Sequence, residues 1–410
     1  MKQQSIWLVT VGLLFSLLAF MIAYNGNTSE PVRIGVIHAQ TGLMSLSEAP
    51  LIRTIEMAVD ELNESGGVLG RRVEIVSVDS RSDPDWAAIQ ADRLITEEGV
   101  EALFGCWTSR CRRALLPVLE RHNHLLFYPL QYEGLEESPY IMYMGMVPNQ
   151  QTGMSLNWMR EQFGNRIALV GSDYEYPRLF NAQLSALKTA LGFDVTAEYY
   201  LPLDASVDAQ DDLIEKLAAA PPDFVVNTIN GAANGYFFKR INERFAELSL
   251  VPPAILSLSI GEVETTEYAP DMTGSFVVWG YMQSVDTPEN KAFLDRFHRR
   301  FGRDAIVSDP MQTSYAAVKL WAQAAQAANS VKAYDVYSAL GTQSMRAPEG
   351  IISVDASNLH LWRMVRIGQV QVDGSLKIIV DSGRALPPNP FLMNRSKPEW
   401  VSLKAEVLGG

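Results

Sequence analysis

The chain has 410 residues, 47% of them hydrophobic, and a formal net charge of −13. That length supports a large core divided among two or three domains. The acidic balance, with no long run of one sign, excludes a nucleic-acid groove, which needs clustered Lys and Arg to neutralise phosphates.

Lys2 precedes an almost unbroken apolar run from Ile6 to Tyr24, and the polar stretch Asn25 to Glu30 follows it. A basic start and an apolar stretch describe an export signal, and the run is also long enough to span a bilayer if retained. Residues 1–30 therefore read as a signal peptide or an N-terminal membrane anchor. The folded part is expected to be periplasmic or otherwise extracytoplasmic, held at the inner membrane if the segment is not cleaved.

Val32 to His38 reads as a buried strand, and Leu51, Ile55, Ala58, Val59 and Leu62 then fall at helical spacing. Arg72 to Asp79 is a strand, Trp86 to Glu97 a helix, and Ala102 to Gly105 a strand that stops at a glycine. Cys106-Trp107-Thr108-Ser109 leads from there into a helix from Arg112 to His122, and Leu125 to Tyr128 is the next strand. A strand passing into a Ser/Thr-started helix leaves backbone N–H groups facing the sheet's C-terminal edge, where open α/β sheets bind ligands. Two adjacent strand ends thus offer Trp107, Ser109, Tyr128 and Gln131 to one cleft.

The same grammar restarts after Pro148-Asn149-Gln150. Strands Arg166 to Gly171, Val195 to Leu201, Phe224 to Ile229 and Ala254 to Leu258 alternate with helices Gln151 to Phe163, Pro177 to Leu191, Asp208 to Ala219 and Gly235 to Phe245. Strand–helix alternation predicts an α/β protein of two doubly wound parallel-sheet lobes, with Val147 to Gln151 crossing between them. The strand ends of this second series carry Ser172-Asp173-Tyr174-Glu175-Tyr176, Asn230 and Ser259. Further on come a strand from Ser275 to Tyr281, helices Pro288 to Phe301 and Met311 to Ala328, and β segments Ile351 to Val354, Leu359 to Ile367 and Val370 to Val380. Asp373-Gly374 is the hairpin signal in the last of these, and the Pro-rich Leu386 to Pro390 closes the fold.

Nucleotide-binding, zincin and hydrolase motifs are absent: there is no G-x-x-x-x-G-K-[ST], H-E-x-x-H, G-x-S-x-G or strand-borne G-x-G-x-x-G. No cofactor, metal site or catalytic residue is predicted. His122 and His124 are close in sequence but read as surface, and Cys106 and Cys111 read as buried or half-buried free thiols. A bridge between them is the lesser alternative, since it requires Cα atoms within about 7 Å. Aromatic faces with a few amide and hydroxyl groups suit a small, neutral, planar polar ligand, because a buried charge would demand a paired opposite charge.

At Phe104-Gly105-Cys106-Trp107-Thr108-Ser109, Tyr128-Pro129-Leu130-Gln131-Tyr132-Glu133-Gly134, Pro148-Asn149-Gln150 and Gly171 to Arg178, the sequence resembles type I periplasmic binding proteins. Among these it is similar to the branch that holds urea-transporter binding proteins and short-chain aliphatic amide sensors. The similarity runs through most of Arg33 to Trp400. It implies two lobes joined by a three-segment hinge, residues 31–147 with 283–340 forming lobe 1 and 148–282 with 341–400 forming lobe 2 and the hinge strands. It further implies an aromatic and a hydroxyl contact from Trp107 and Ser109, a stacking ring from Tyr128, and a second-lobe clamp from Tyr174 and Tyr176. Leu130-Gln131 matches the urea-type pattern more closely than that of the amide sensors.

The expectation is a non-enzymatic solute-binding protein that captures urea or a short amide by lobe closure for an ABC permease and ATPase. A membrane-tethered sensor that reports the bound state to a signalling partner is the alternative.

Overall fold

Buried strands alternating with helices build two sheets in the computed structural model, which describes residues 30–409. The segment read as a signal or anchor lies, apart from Glu30, outside the described residues, and no described helix is long and apolar enough to cross a membrane. In lobe 1, β1 (Val32–His38), β2 (Val73–Asp79), β3 (Leu103–Gly105), β4 (Leu126–Tyr128) and β5 (Ile141–Tyr143) are all parallel, in the order β2-β1-β3-β4-β5. In lobe 2, β6 (Arg166–Ser172), β7 (Asp194–Leu201), β8 (Phe224–Thr228), β9 (Ala254–Ser257) and β10 (Phe276–Trp279) are parallel in the order β7-β6-β8-β9-β10.

Helices cover both faces, so successive residues of one strand enter different cores. Val36, Phe104 and Phe127 pack with Trp321 on one side of lobe 1, whereas Ile37, Leu103 and Leu126 pack with Leu115 and Leu119 on the other. Local chemistry sets the helix starts. Asp83 accepts from the backbone N–H groups of Asp85 and Trp86 ahead of Pro84–Thr96, and Thr287 accepts from Asn290 N–H ahead of Pro288–Phe301.

The C-terminal β segments divide differently from the expected domain boundaries. β11 (Ser344–Ala347), β12 (Gly350–Asp355) and β13 (His360–Trp362) extend the sheet of lobe 1, with β13 running parallel to β5 at His360 and Tyr143. Assigning all of 341–400 to lobe 2 is therefore corrected for this stretch. The reason is the short β5, whose outer edge would otherwise be unpaired; there the His360 ring stacks on Tyr143 at 4.3 Å. Only β14 (Arg366–Val370) and β15 (Leu376–Asp381) join lobe 2, antiparallel beyond β10. Leu359 to Ile367 is thus two strands in two lobes, and Val370 to Val380 is broken by a turn in which Gly374 holds φ 81°. Both sheets are mixed at one edge.

Sheet membership takes the chain between lobes three times: after β5, after β10, and between β13 and β14. Arg363, on the third crossing, is fully buried and ties all three together. Its guanidinium donates to Asp309 at 2.7 and 3.2 Å, to Glu349 at 3.1 Å and to the Met144 carbonyl at 3.4 Å. Asp309 in turn accepts the Tyr281 backbone N–H at 2.7 Å. Burial works against the guanidinium charge, but the Asp309 and Glu349 carboxylates outweigh it and hold Arg363 above its ordinary value.

The helix Lys397–Leu408 closes the described chain as a strap. Trp400 is buried among Leu135 of lobe 1, Leu179 of lobe 2 and Leu392. Lys404 Nζ donates to the Leu135 carbonyl at 3.2 Å, and Lys397 pairs with Glu137 at 2.6 Å.

Candidate functional site

The turn after β3 is shaped by close approach to β1. A Cβ on Gly105 would stand 2.1 Å from the Ile37 carbonyl oxygen, and Cys106 takes φ 63° while donating its N–H to that same oxygen at 2.9 Å. Thr108 then caps the helix Ser109–His122 by accepting from Cys111 N–H. This tight turn brings the Cα atoms of Cys106 and Cys111 to 5.7 Å, and the two form a disulfide. The free-thiol reading is corrected: capping folds the first helical turn back over the strand end, a geometry that sequence spacing alone does not reveal. Trp107 sits inside the loop so closed, and its carbonyl accepts the Tyr128 hydroxyl at 2.5 Å.

Behind these rings lies a buried charged network that the sequence reading missed. Ser109 Oγ donates to Glu133 and accepts from Arg112 at 3.1 Å, while Arg112 also donates to Glu133 at 3.0 Å and Glu136 at 2.8 Å. Burial opposes the charges on Arg112 and Glu136, yet their pairing prevails, bringing Glu136 down to about 2 and Arg112 well above its ordinary value. The Arg112 guanidinium lies 4.9 Å from the Tyr128 ring centroid and 4.6 Å from that of Tyr132. Ser109 is thus committed to supporting the aromatic wall rather than facing the cleft. The available signal was the spacing of Arg112 three residues after Ser109, with Glu133 inside the Tyr128 to Gly134 motif.

Lobe 2 meets this wall directly. Tyr174 precedes the helix Glu175–Leu191, and its ring lies 6.4 Å from that of Tyr176. Burial, then the neighbouring Tyr128, raise the Tyr174 phenol well above its ordinary value, and burial does the same for Tyr176. Asn230 and Ser259 instead bond backbone of their own lobe, Asn230 to the Thr228 carbonyl at 3.1 Å and Ser259 to the Ile229 carbonyl at 2.7 Å. The structure therefore brings Tyr128 and Gln131 of lobe 1 against Tyr174 and Tyr176 of lobe 2, with Ser109, Asn230 and Ser259 in the walls behind them, while Trp107 packs within lobe 1 among Met44, Glu48 and Cys111. The Gln131 amide lies beside the Tyr176 hydroxyl, and its oxygen has no hydrogen-bond partner among the described residues.

The lobes are closed on each other. Glu175 of lobe 2 lies 3.5 Å from both Arg110 and Arg113 of lobe 1, and a Cβ on Gly231 would stand 3.2 Å from the Leu43 carbonyl oxygen. The two arginines are substantially exposed, so these ion pairs contribute little. Further along the seam Glu264 reaches Ser47, and Glu262, beside Asp309 and Glu264, accepts the Gln283 N–H at 2.7 Å. Burial pushes the Glu262 carboxyl up to about 8 from an ordinary 4.5. Its folded value is the higher one, so its stabilising contribution is complete below pH 4.5 and disappears as pH rises to 8. Glu262→Gln will accordingly raise the thermal midpoint at pH 8 and leave it nearly unchanged at pH 4, as read by circular dichroism melts.

Among the described residues no group of three or more His, Cys, Asp or Glu is placed to hold a metal ion. His122 bonds Asp92 at 2.9 Å and His124 the Val100 carbonyl at 2.9 Å, so the two rings diverge.

Residues 32–397 match the family model described as periplasmic binding protein domain. The chain belongs to this periplasmic binding protein family. Its two-lobe α/β fold is that of type I members, which bind solutes and are not enzymes. One relative of this periplasmic binding protein is Leu/Ile/Val-binding protein homolog 6 of Brucella suis biovar 1, 21% identical over 365 residues, 87% of this chain and 92% of that protein. Limonene hydroxylase of Geobacillus stearothermophilus is 31% identical over 121 residues; the match spans 30% of this chain and only 22% of the hydroxylase's length. Among solved structures, an ABC-transporter solute-binding protein of Rhodopseudomonas palustris HaA2 in complex with p-hydroxybenzoic acid superposes with a TM-score of 0.79 at 21% identity, covering 90% of this chain and 100% of that one.

Proposed function

We propose that this periplasmic binding protein captures urea or a short-chain amide by closing its lobes around Tyr128 and Tyr174, and delivers it to an ABC permease and its ATPase. The observation that carries this reading is the pairing of a buried, donor-less amide oxygen on Gln131 with a tyrosine-lined seam. A buried acceptor without a donor costs about 1–3 kcal/mol, and an N–H-rich neutral solute would satisfy it. The relatives' names point to branched-chain amino acids and the similar structure to an aromatic acid, both of which carry a carboxylate. A carboxylate needs a cation or several N–H donors, and Arg112, the buried cation behind the aromatic wall, is already engaged by Glu133 and Glu136. The Cys106–Cys111 disulfide fits an oxidising, extracytoplasmic compartment.

Calorimetric titration of residues 30–410 with urea, acetamide, leucine and p-hydroxybenzoate tests the assignment. Binding confined to urea or acetamide supports it. Tight binding of leucine or p-hydroxybenzoate, with neither urea nor acetamide bound, overturns it.

A further inference from the structure

Gln151 lies in the first turns of the helix Pro148–Phe163, immediately after the first crossing between the lobes. It is fully buried. Its amide nitrogen donates to the Leu258 carbonyl at 3.0 Å, which settles the orientation of the side chain: the nitrogen faces lobe 2, and the oxygen points elsewhere with no partner among the described residues. The same Leu258 carbonyl accepts the Tyr176 hydroxyl at 3.3 Å, and the Gln131 amide lies beside that hydroxyl. Two buried glutamines, one from each side of the crossing, thus converge on one carbonyl and one phenol. Gln151 spends its nitrogen on the protein, and both glutamines keep their oxygens without a donor among the described residues.

We propose that Gln151 is a ligand-binding residue that, with Gln131, accepts N–H groups from the solute and selects for a molecule carrying two amino groups on one carbonyl carbon. This rests on reading the cleft as an amide site and adds to it the residue that separates urea from acetamide. Two carbonyl oxygens repel a carboxylate, and they leave an N-alkylated amide short of donors. Urea offers an amino group to each oxygen, whereas acetamide has one amino group and a methyl. Gln151 belongs to lobe 2 and Gln131 to lobe 1, so a solute bonded to both oxygens is held only with the lobes together.

The test compares wild type with Gln151→Leu and the near-isosteric Gln151→Met, by calorimetric titration with urea and acetamide and by thermal unfolding. One N–H···O bond is worth about 0.5–1.5 kcal/mol net, so urea affinity should fall about threefold to tenfold or more while acetamide affinity changes less, narrowing the urea-to-acetamide ratio. The near-isosteric Gln151→Met keeps the core filled if Gln151→Leu is too unstable to titrate. An unchanged ratio, with equal losses for both ligands or with only a lowered thermal midpoint, gives Gln151 a structural role and overturns this inference while leaving the amide site standing. A wild-type protein that binds neither ligand removes both readings.

Discussion

Arg363→Met will lower stability by about 3–5 kcal/mol, because removing one partner of a buried ion cluster strands the others. Asp309 and Glu349, both almost wholly buried, would be left as carboxylates facing one another without the guanidinium that holds them. The loss would spread beyond the cluster. Asp309 also anchors the Tyr281 backbone, and Arg363 also donates to Met144, so one substitution loosens each of the three crossings. Guanidinium chloride melts followed by circular dichroism read the effect, with that denaturant preferred because urea is the proposed ligand. Replacing all three charged residues by neutral counterparts should recover much of the stability, since a buried ion pair removed whole is far less damaging than one broken in half. Equal stability of wild type and Arg363→Met would show that the crossings are held by packing alone.

Tyr174→Ala will weaken solute binding on the order of a hundredfold, the loss typical of a buried aromatic anchor at the centre of an interface. Tyr174 belongs to lobe 2 and reaches the neighbourhood of Tyr128 only with the lobes together, so its removal should cost affinity more than fold. Tyr128 differs, being fully buried on β4 with its hydroxyl on the Trp107 carbonyl. Tyr128→Ala will therefore also destabilise lobe 1 by about 3–5 kcal/mol, and Tyr128→Phe is the cleaner probe of the hydroxyl. Calorimetry at equal folded fraction separates the two effects. Wild-type affinity in Tyr174→Ala would take that ring out of the binding seam.

The parallel cores of both lobes were legible because their strands are long apolar runs separated by capped helices, as at Val32–His38 and Arg166–Ser172. Three-residue β5 was not, since Ile141–Tyr143 carries too little pattern to stand apart from a loop, and missing it hid the place where β13 attaches. The aromatic residues that face one another between the lobes, Tyr128, Tyr174 and Tyr176, were visible from their position at strand ends. The side chains that brace them were not: Arg112 reads as one more polar position on a helix, and its burial depends on Glu133 and Glu136 arriving from a loop more than twenty residues away. Ser109, Asn230 and Ser259 illustrate the converse. Hydroxyls and amides at strand ends satisfy nearby backbone, as Asn230 and Ser259 do, or a buried ion pair, as Ser109 does, as readily as they meet a ligand, and only coordinates tell these apart.

The strap Lys397–Leu408 bears on how the protein should be handled at the bench. Leu408 and Lys404 line one cavity with Arg110, Arg113 and Glu175, at the rim where the lobes meet. A purification tag or fluorescent fusion appended beyond this helix would begin beside that rim, so solute association rates measured on such a product will differ from those of a protein carrying its handle ahead of Glu30. Trp400, held between Leu135 and Leu179, gives in return a built-in optical probe: if parting the jaws draws the strap from either flank, its emission will shift to the red without any label attached.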